Sequence, residues 1–259
     1  MIPKVIHYCW FGRGEKPELA VKCIESWKKQ CPDYEIMEWN EDNFDVNINQ
    51  YVKEAYEARK FAFVSDVARL YALYNYGGIY LDTDVMVIKS FGDYLNNKGF
   101  FSFENKYGVQ TGVIAFEKNA EIVKEFLDNY DTRTFITENK TYDLTTNVAA
   151  ITATLLEKGL VINNQYQVVD GITIYPQNIF CPDLSRLEDS EYMKDTVTIH
   201  YFSSSWKSEA TRRREHSLWW IPVAKIVTLT SKLLSKLFGD KWLNVKNKIR
   251  DKYVEGEDK

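Results

Sequence analysis

Residues 65–85, SDVARLYALYNYGGIYLDTDV, constrain this chain more than any other stretch. Val67, Leu70, Tyr71 and Tyr74 recur at helical spacing and give the segment one apolar stripe. Ser65 is placed to cap the start of that helix. Asp66 falls in its first turn, where the helix dipole favours negative charge. Gly77 and Gly78 stop it. A short strand at 79–81 then delivers two carboxylates, Asp82 and Asp84, at its end, and a second strand follows at 85–88. Asp66 and Arg69, three residues apart, share a helix face away from the stripe.

The surrounding pattern extends this into an α/β domain. KVIHYCWFG is a β-rich run ended by Gly12 and predicts a buried first strand. A helix over 16–30 follows, with Leu19, Cys23, Ile24 and Trp27 on one side, and YEIMEW predicts the second strand. Strand–helix–strand succession argues for parallel pairing. Further strands are predicted at 100–104, 112–117, 168–176 and 196–202, and helices at 120–129 and 147–158. The expected architecture is a single α/β domain over residues 1–210 with a mixed, mostly parallel sheet. Amphipathic helices follow in a basic extension over 211–259.

Composition sets limits on partners. Residues 206–252 hold 12 Lys and Arg against 4 Asp and Glu, although the whole chain carries a net charge of -4. A basic tail on an acidic body suits an anionic surface and argues against nucleic acid along the chain. The apolar run at 218–224 is far shorter than the ~20 residues that span a bilayer, so an interfacial helix on anionic lipid is expected over 212–252. Cys9, Cys23, Cys31 and Cys181 show no CxxC or zinc spacing and read as reduced, buried thiols. The opening residues lack a basic region followed by a long apolar run, so no signal peptide is expected. These features predict a cytoplasmic protein, peripheral at the inner face of the cell membrane.

Two carboxylates one residue apart at a strand end can hold a divalent cation. In an extended chain they point oppositely, so both reach one ion only where the strand bends or through a water. A nucleoside diphosphate would supply the missing oxygen ligands for Mg²⁺ or Mn²⁺. The bland alternative is a solvated turn. A dehalogenase-type phosphatase is disfavoured, because Met86 stands where that motif needs Thr or Val. DTDVMVIKS lacks the further acids and the glycine of an EF-hand loop. No GxxxxGK[ST] occurs, and GRGEKP lacks the third glycine of a dinucleotide fingerprint.

SDVARLYALYNYGGIYLDTDV strongly resembles the signature of glycosyltransferase family 32, the DXD-containing sugar transferases. That family includes Golgi mannosyltransferases and bacterial enzymes of capsular and surface polysaccharide synthesis; the catalytic domains of large glucosylating toxins are distant relatives. The resemblance extends to IPKVIHYCWFG and to IHYFSSSW, and so spans roughly residues 1–206. It implies a GT-A fold that binds a nucleotide-sugar at its strand ends. By the same resemblance Trp10 stacks on the nucleobase, Asp66 and Arg69 contact the donor sugar, and Tyr80 lies near the nucleoside. Asp82 meets the ribose, or the metal through water, and Asp84 is a direct metal ligand. His200 or a serine of 203–205 completes the metal shell. Trp206 donates to a phosphate or leaving oxygen, with Ser205 beside it. Thr146 and Asn147 line the donor pocket, and Gln110, Thr111 and Gly112 face the sugar.

What the resemblance implies is a retaining, Mn²⁺- or Mg²⁺-dependent hexosyltransferase. Its donor is a UDP-sugar, with GDP-mannose the alternative, and its acceptor an oligosaccharide or lipid-linked glycan. Attack comes from the front face, with the donor's own phosphate oxygen taking the acceptor proton. The competing readings are a sugar-nucleotide hydrolase on the same site and a non-catalytic nucleotide- or carbohydrate-binding module.

Overall fold

Alternation sets the sheet, because successive side chains of a strand point to opposite faces. The computed structural model describes residues 1–105 and 107–203. Its central sheet contains β1 (Val5–Cys9), β2 (Glu35–Trp39), β3 (Gly78–Leu81), β5 (Gly99–Asn105), β6 (Gly108–Val109), β7 (Val113–Phe116), β8 (Gln167–Val169) and β9 (Ile172–Tyr175). The spatial order is β2-β1-β3-β7-β5-β9-β8, with β6 on β5. β1 pairs parallel with both β2 and β3, and β5 pairs parallel with β9. β7 lies antiparallel between β3 and β5, so β2, β1, β3, β5 and β9 all run one way. The mixed, mostly parallel α/β sheet expected from the sequence is therefore present. A second, two-stranded sheet joins β4 (Val85–Val87) to β10 (Thr198–His200).

Each face of the sheet carries its own core. Tyr80, Phe101, Phe103, Ile114 and Phe116 point to one side, where they pack with residues of α2 (Gln50–Glu57), α3 (Phe61–Tyr76), α4 (Glu121–Asp128) and α5 (Asn147–Glu157). Ile79, Leu81, Phe100, Val113 and Ala115 point to the other, against α1 (Glu18–Gln30), the β4–β10 pair and Phe180. Cys23, Ile24 and Trp27 of α1 are buried as predicted, and Leu19 is half-buried. The Trp27 indole donates to the Val85 carbonyl at 2.7 Å and ties α1 to β4. All four cysteines are free and buried.

Three local expectations are corrected. α3 begins at Phe61, one turn before Ser65, because Phe63 and Val64 are buried and extend the apolar face backwards. Ser65 is therefore no cap; its hydroxyl donates to the Phe61 carbonyl at 3.0 Å. The single strand expected at 168–176 is a hairpin, since Asp170 and Gly171 both take positive φ (51° and 77°) and turn the chain between β8 and β9. α2 was unanticipated, although Asn49 caps it by accepting from the Val52 N–H at 2.9 Å.

The junction that carries the acidic pair is tightly built. Trp39 donates to Nδ1 of buried His7 at 3.1 Å, which leaves the hydrogen on Nε2 to reach the Gly77 carbonyl at 2.7 Å. Gly78 has φ +112°, and a Cβ there would lie 2.6 Å from the Val5 carbonyl oxygen. Gly78→Ala is expected to cost at least about 2 kcal/mol from strain and clash together. Urea unfolding with an unchanged m value would measure it.

Candidate active site

A bend, not an extended strand, brings the two carboxylates together. The Asp82 N–H donates to the Gly112 carbonyl at 2.8 Å and the Val85 N–H to the Asp82 carbonyl at 3.0 Å, so the chain turns between β3 and β4. Because β4 pairs with β10, His200 lies opposite Val85. Asp82, Asp84 and His200 each present one ligand atom, and these atoms lie within 4.8 Å of one another. Asp84 is held from both ends. Its Oδ1 lies 3.2 Å from His200 Nε2, and its Oδ2 accepts from the Ser203 N–H at 2.7 Å and hydroxyl at 2.8 Å. Burial works against the charged forms of both partners, and their mutual bond and charge override it. Asp84, aided by Ser203, falls to about 2, and His200 rises to about 10.

Gly112 keeps the centre of this cluster clear. A Cβ at that position would stand 2.7 Å from His200 Cε1, 2.8 Å from Asp82 Oδ2 and 3.0 Å from His200 Nδ1. His200 Nδ1 is itself buried with no hydrogen-bond partner among the described residues. Two carboxylates, an imidazole and a cleared gap fit a divalent cation of the Mn²⁺ or Mg²⁺ type. Gln110 fixes the turn before Gly112, its amide bonding both the N–H and the carbonyl of Val113 at 2.8 and 2.9 Å. It is fully buried, so its amide holds the backbone and does not face a sugar.

Arg69 binds the neighbouring carboxylates into one network. Its guanidinium lies 3.0 Å from Asp66 and 3.3 Å from Asp82, donates to the Thr111 carbonyl at 2.8 Å, and covers the Tyr80 ring at 4.5 Å. Asp66 and Arg69 therefore share a face, but one turned into the protein. Tyr80 is 2% exposed and gives its hydroxyl to Asp82 Oδ1 at 2.9 Å, supporting that carboxylate from beneath. Burial pushes Asp66 up to about 6 against the pull of Arg69, with the charge of Asp82 adding to the rise. Asn147, at the start of α5, donates from its amide to the Asp66 carbonyl at 3.2 Å. Its Oδ1, like the hydroxyls of Tyr51 and Tyr130 near Asp66, is buried without a partner among the described residues. Thr146 caps α5 through the Ala149 N–H at 3.3 Å. Asp143, just before that cap, pairs with Arg133 at 2.7 Å.

Trp10 follows β1 at the same edge of the sheet. Its indole donates to the Gly14 carbonyl at 2.7 Å, and Lys16, paired with Glu38 at 2.8 Å, lies 5.7 Å from its ring. Ser204, Ser205 and Trp206 lie outside the described residues, as do the basic extension and its proposed membrane helix. Sequence reasoning missed one group here. Glu104, on β5, lies near enough to His200 and Asp82 to feel both charges. The signal was present, since FFSFE ends an apolar strand on an acid just as IYLD does.

The site is thus an acidic pair on a bend at the carboxyl edge of a mixed α/β sheet, backed by a buried Asp–Arg helix pair. Residues 17–101 match the family described as glycosyltransferase sugar-binding region containing DXD motif. An uncharacterized glycosyltransferase of Acanthamoeba polyphaga mimivirus is 30% identical over 203 residues, which cover 74% of this chain and 73% of that one. The chain belongs to these DXD-containing glycosyltransferases. Inositol phosphoceramide mannosyltransferase 3 of Schizosaccharomyces pombe is 29% identical over 136 residues, covering 49% of this chain but 37% of that protein's length. Among solved structures, the PaToxG glycosyltransferase superposes with a TM-score of 0.48 at 20% identity, covering 61% of this chain and 69% of that one. Among the described residues no helix is long and apolar enough to cross a membrane.

Proposed function

We propose that this glycosyltransferase is metal-dependent and retaining, and that it moves a sugar from a UDP-sugar, or from GDP-mannose, to an oligosaccharide or lipid-linked glycan in surface polysaccharide synthesis. The observation that carries this reading is the Asp82–Asp84–His200 cluster around the gap kept open by Gly112. Asp82, Asp84 and His200 would hold the cation, which supplies positive charge to the departing diphosphate when bound. Ser203 and His200 hold Asp84 ionised and oriented, and Tyr80 and Arg69 hold the Asp82 carboxylate in place. Trp10 would stack on the base. Asp66, Arg69 and Asn147 would meet the donor sugar, the unpartnered Asn147 Oδ1 offering an acceptor for a sugar hydroxyl. Thr146 and Ser205 would lie beside them, and Trp206 would donate to the leaving oxygen. A relative named for an inositol phosphoceramide substrate supports a lipid-linked acceptor. The basic residues over 212–252 suit work at an anionic membrane surface from the cytoplasmic side.

The test is a thermal-shift screen of UDP, GDP and their sugars, each with and without Mn²⁺ or Mg²⁺. One nucleotide is expected to raise Tm by about 5–10 °C at a hundredfold excess over Kd, and only with the cation. Asp84→Ala is expected to abolish that rise. Stabilisation independent of the cation, or its survival in Asp84→Ala, would overturn the site.

A further inference from the structure

Phe202 holds a backbone conformation that its side chain does not favour. Among the described residues the non-glycine positions with positive φ are Arg13, Arg59, Asn119, Lys140, Asn164, Asp170 and Phe202. Phe202, at φ 51°, is the one apolar side chain in that set. A left-handed backbone crowds Cβ against the following carbonyl, and a bulky residue keeps it only where its surroundings over-determine it.

The surroundings here belong to the cation cluster. Phe202 directly follows β10, and the residues on either side of it both hold Asp84. Tyr201 donates its N–H to the Asp84 carbonyl at 3.0 Å. Ser203 gives its N–H and its hydroxyl to Asp84 Oδ2 at 2.7 and 2.8 Å. The left-handed turn between them lets both reach one aspartate. That accounts for the backbone but not for the side chain, since Gly or Asn makes the same turn at less cost.

The ring accounts for the residue. By alternation His200 and Phe202 share a face of the chain, and their rings stack with centroids 4.1 Å apart and planes 21° from parallel. Rotation about the Cβ–Cγ bond of a histidine is broad, so its own preferences do not fix the plane of the imidazole. Asp84 meets that ring at Nε2, and Gly112 places no side chain beside Cε1 and Nδ1. Resting on the cation-dependent reading above, we propose that Phe202 is a positioning residue for the cluster. Its flat face sets the plane of His200, which keeps Nε2 on Asp84 and the Nδ1–Cε1 edge toward the gap at Gly112. The strained turn is retained because it puts that ring and Ser203 in place together.

Phe202→Asn keeps the turn and removes the ring, whereas Phe202→Tyr keeps both. The measurement is a Mn²⁺ titration at fixed UDP, and separately at fixed GDP, read as the Mn²⁺ concentration that gives half of the full thermal shift. Phe202→Asn is expected to raise that concentration at least about tenfold, and Phe202→Tyr to leave it within about twofold of wild type. The ligand-free Tm of Phe202→Asn is expected to stay within about 2 °C of wild type, because relief of strain offsets the lost contact. A merely structural role predicts the opposite pattern, a lower ligand-free Tm with an unchanged Mn²⁺ requirement, and that result overturns the assignment. So does a Tyr variant that needs as much Mn²⁺ as the Asn variant. A wild-type protein with no Mn²⁺-dependent shift in either nucleotide overturns the cation reading itself, and this inference with it.

Discussion

Gly112→Ala is expected to weaken Mn²⁺-dependent nucleotide binding at least tenfold, about 1.4 kcal/mol, in a protein that still folds. The backbone at Gly112 does not take positive φ, so alanine introduces no conformational strain there. The penalty comes from position alone. The new methyl group would stand 2.7 Å from His200 Cε1 and 2.8 Å from Asp82 Oδ2, separations that real Cβ atoms do not keep. Neither neighbour moves freely: Asp82 is bonded through Oδ1 to Tyr80 and Arg69, and His200 is 8% exposed and held by Asp84. Whichever gives way, the donor atoms separate and the gap fills. Isothermal titration of the nucleotide at saturating and at zero Mn²⁺ reads this directly. Equal affinity in variant and wild type at saturating Mn²⁺ would mean that the gap holds no cation.

The parts of the site visible in the sequence are those whose meaning is local. The stop at Gly77–Gly78, the short strand after it and the pair Asp82 and Asp84 all lie within eight residues, so spacing sufficed. His200 entered through a motif near the far end of the domain, and only the β4–β10 pairing explains why it reaches Asp84. Gly112 reads in sequence as an ordinary glycine before a strand; its role depends on two side chains from two other elements. The inward turn of Asp66 and Arg69 was hidden for a related reason. A cap-like Ser65 suggested a helix beginning there, with Asp66 in an exposed first turn. Burial of Phe63 and Val64 starts the helix earlier and buries that turn.

Arg69→Met should be the most destabilising substitution in this network, by about 3–5 kcal/mol, or roughly 10 °C or more in Tm for a domain of this size. Arg69 is 6% exposed and bridges two carboxylates, Asp66 and Asp82, that also face each other's charge. Methionine fills much of the volume but leaves both anions without the cation. Arg69→Lys should rescue little, because a point charge cannot meet Asp66, Asp82 and the Thr111 carbonyl from one position. The sign of the pH dependence separates lost charge from lost packing. Asp66 already titrates near 6, above the 3.8 of an unburied aspartate. A carboxyl raised on folding contributes stability that is complete below its unfolded value and is lost as the pH rises through its folded value. Removing Arg69 raises that folded value further, so the variant loses more stability than wild type between pH 5 and pH 8. Its deficit in urea unfolding should therefore be smaller at pH 5 than at pH 8. A deficit equal at both values would assign the cost to packing and remove Arg69 from the role of neutralising the two carboxylates.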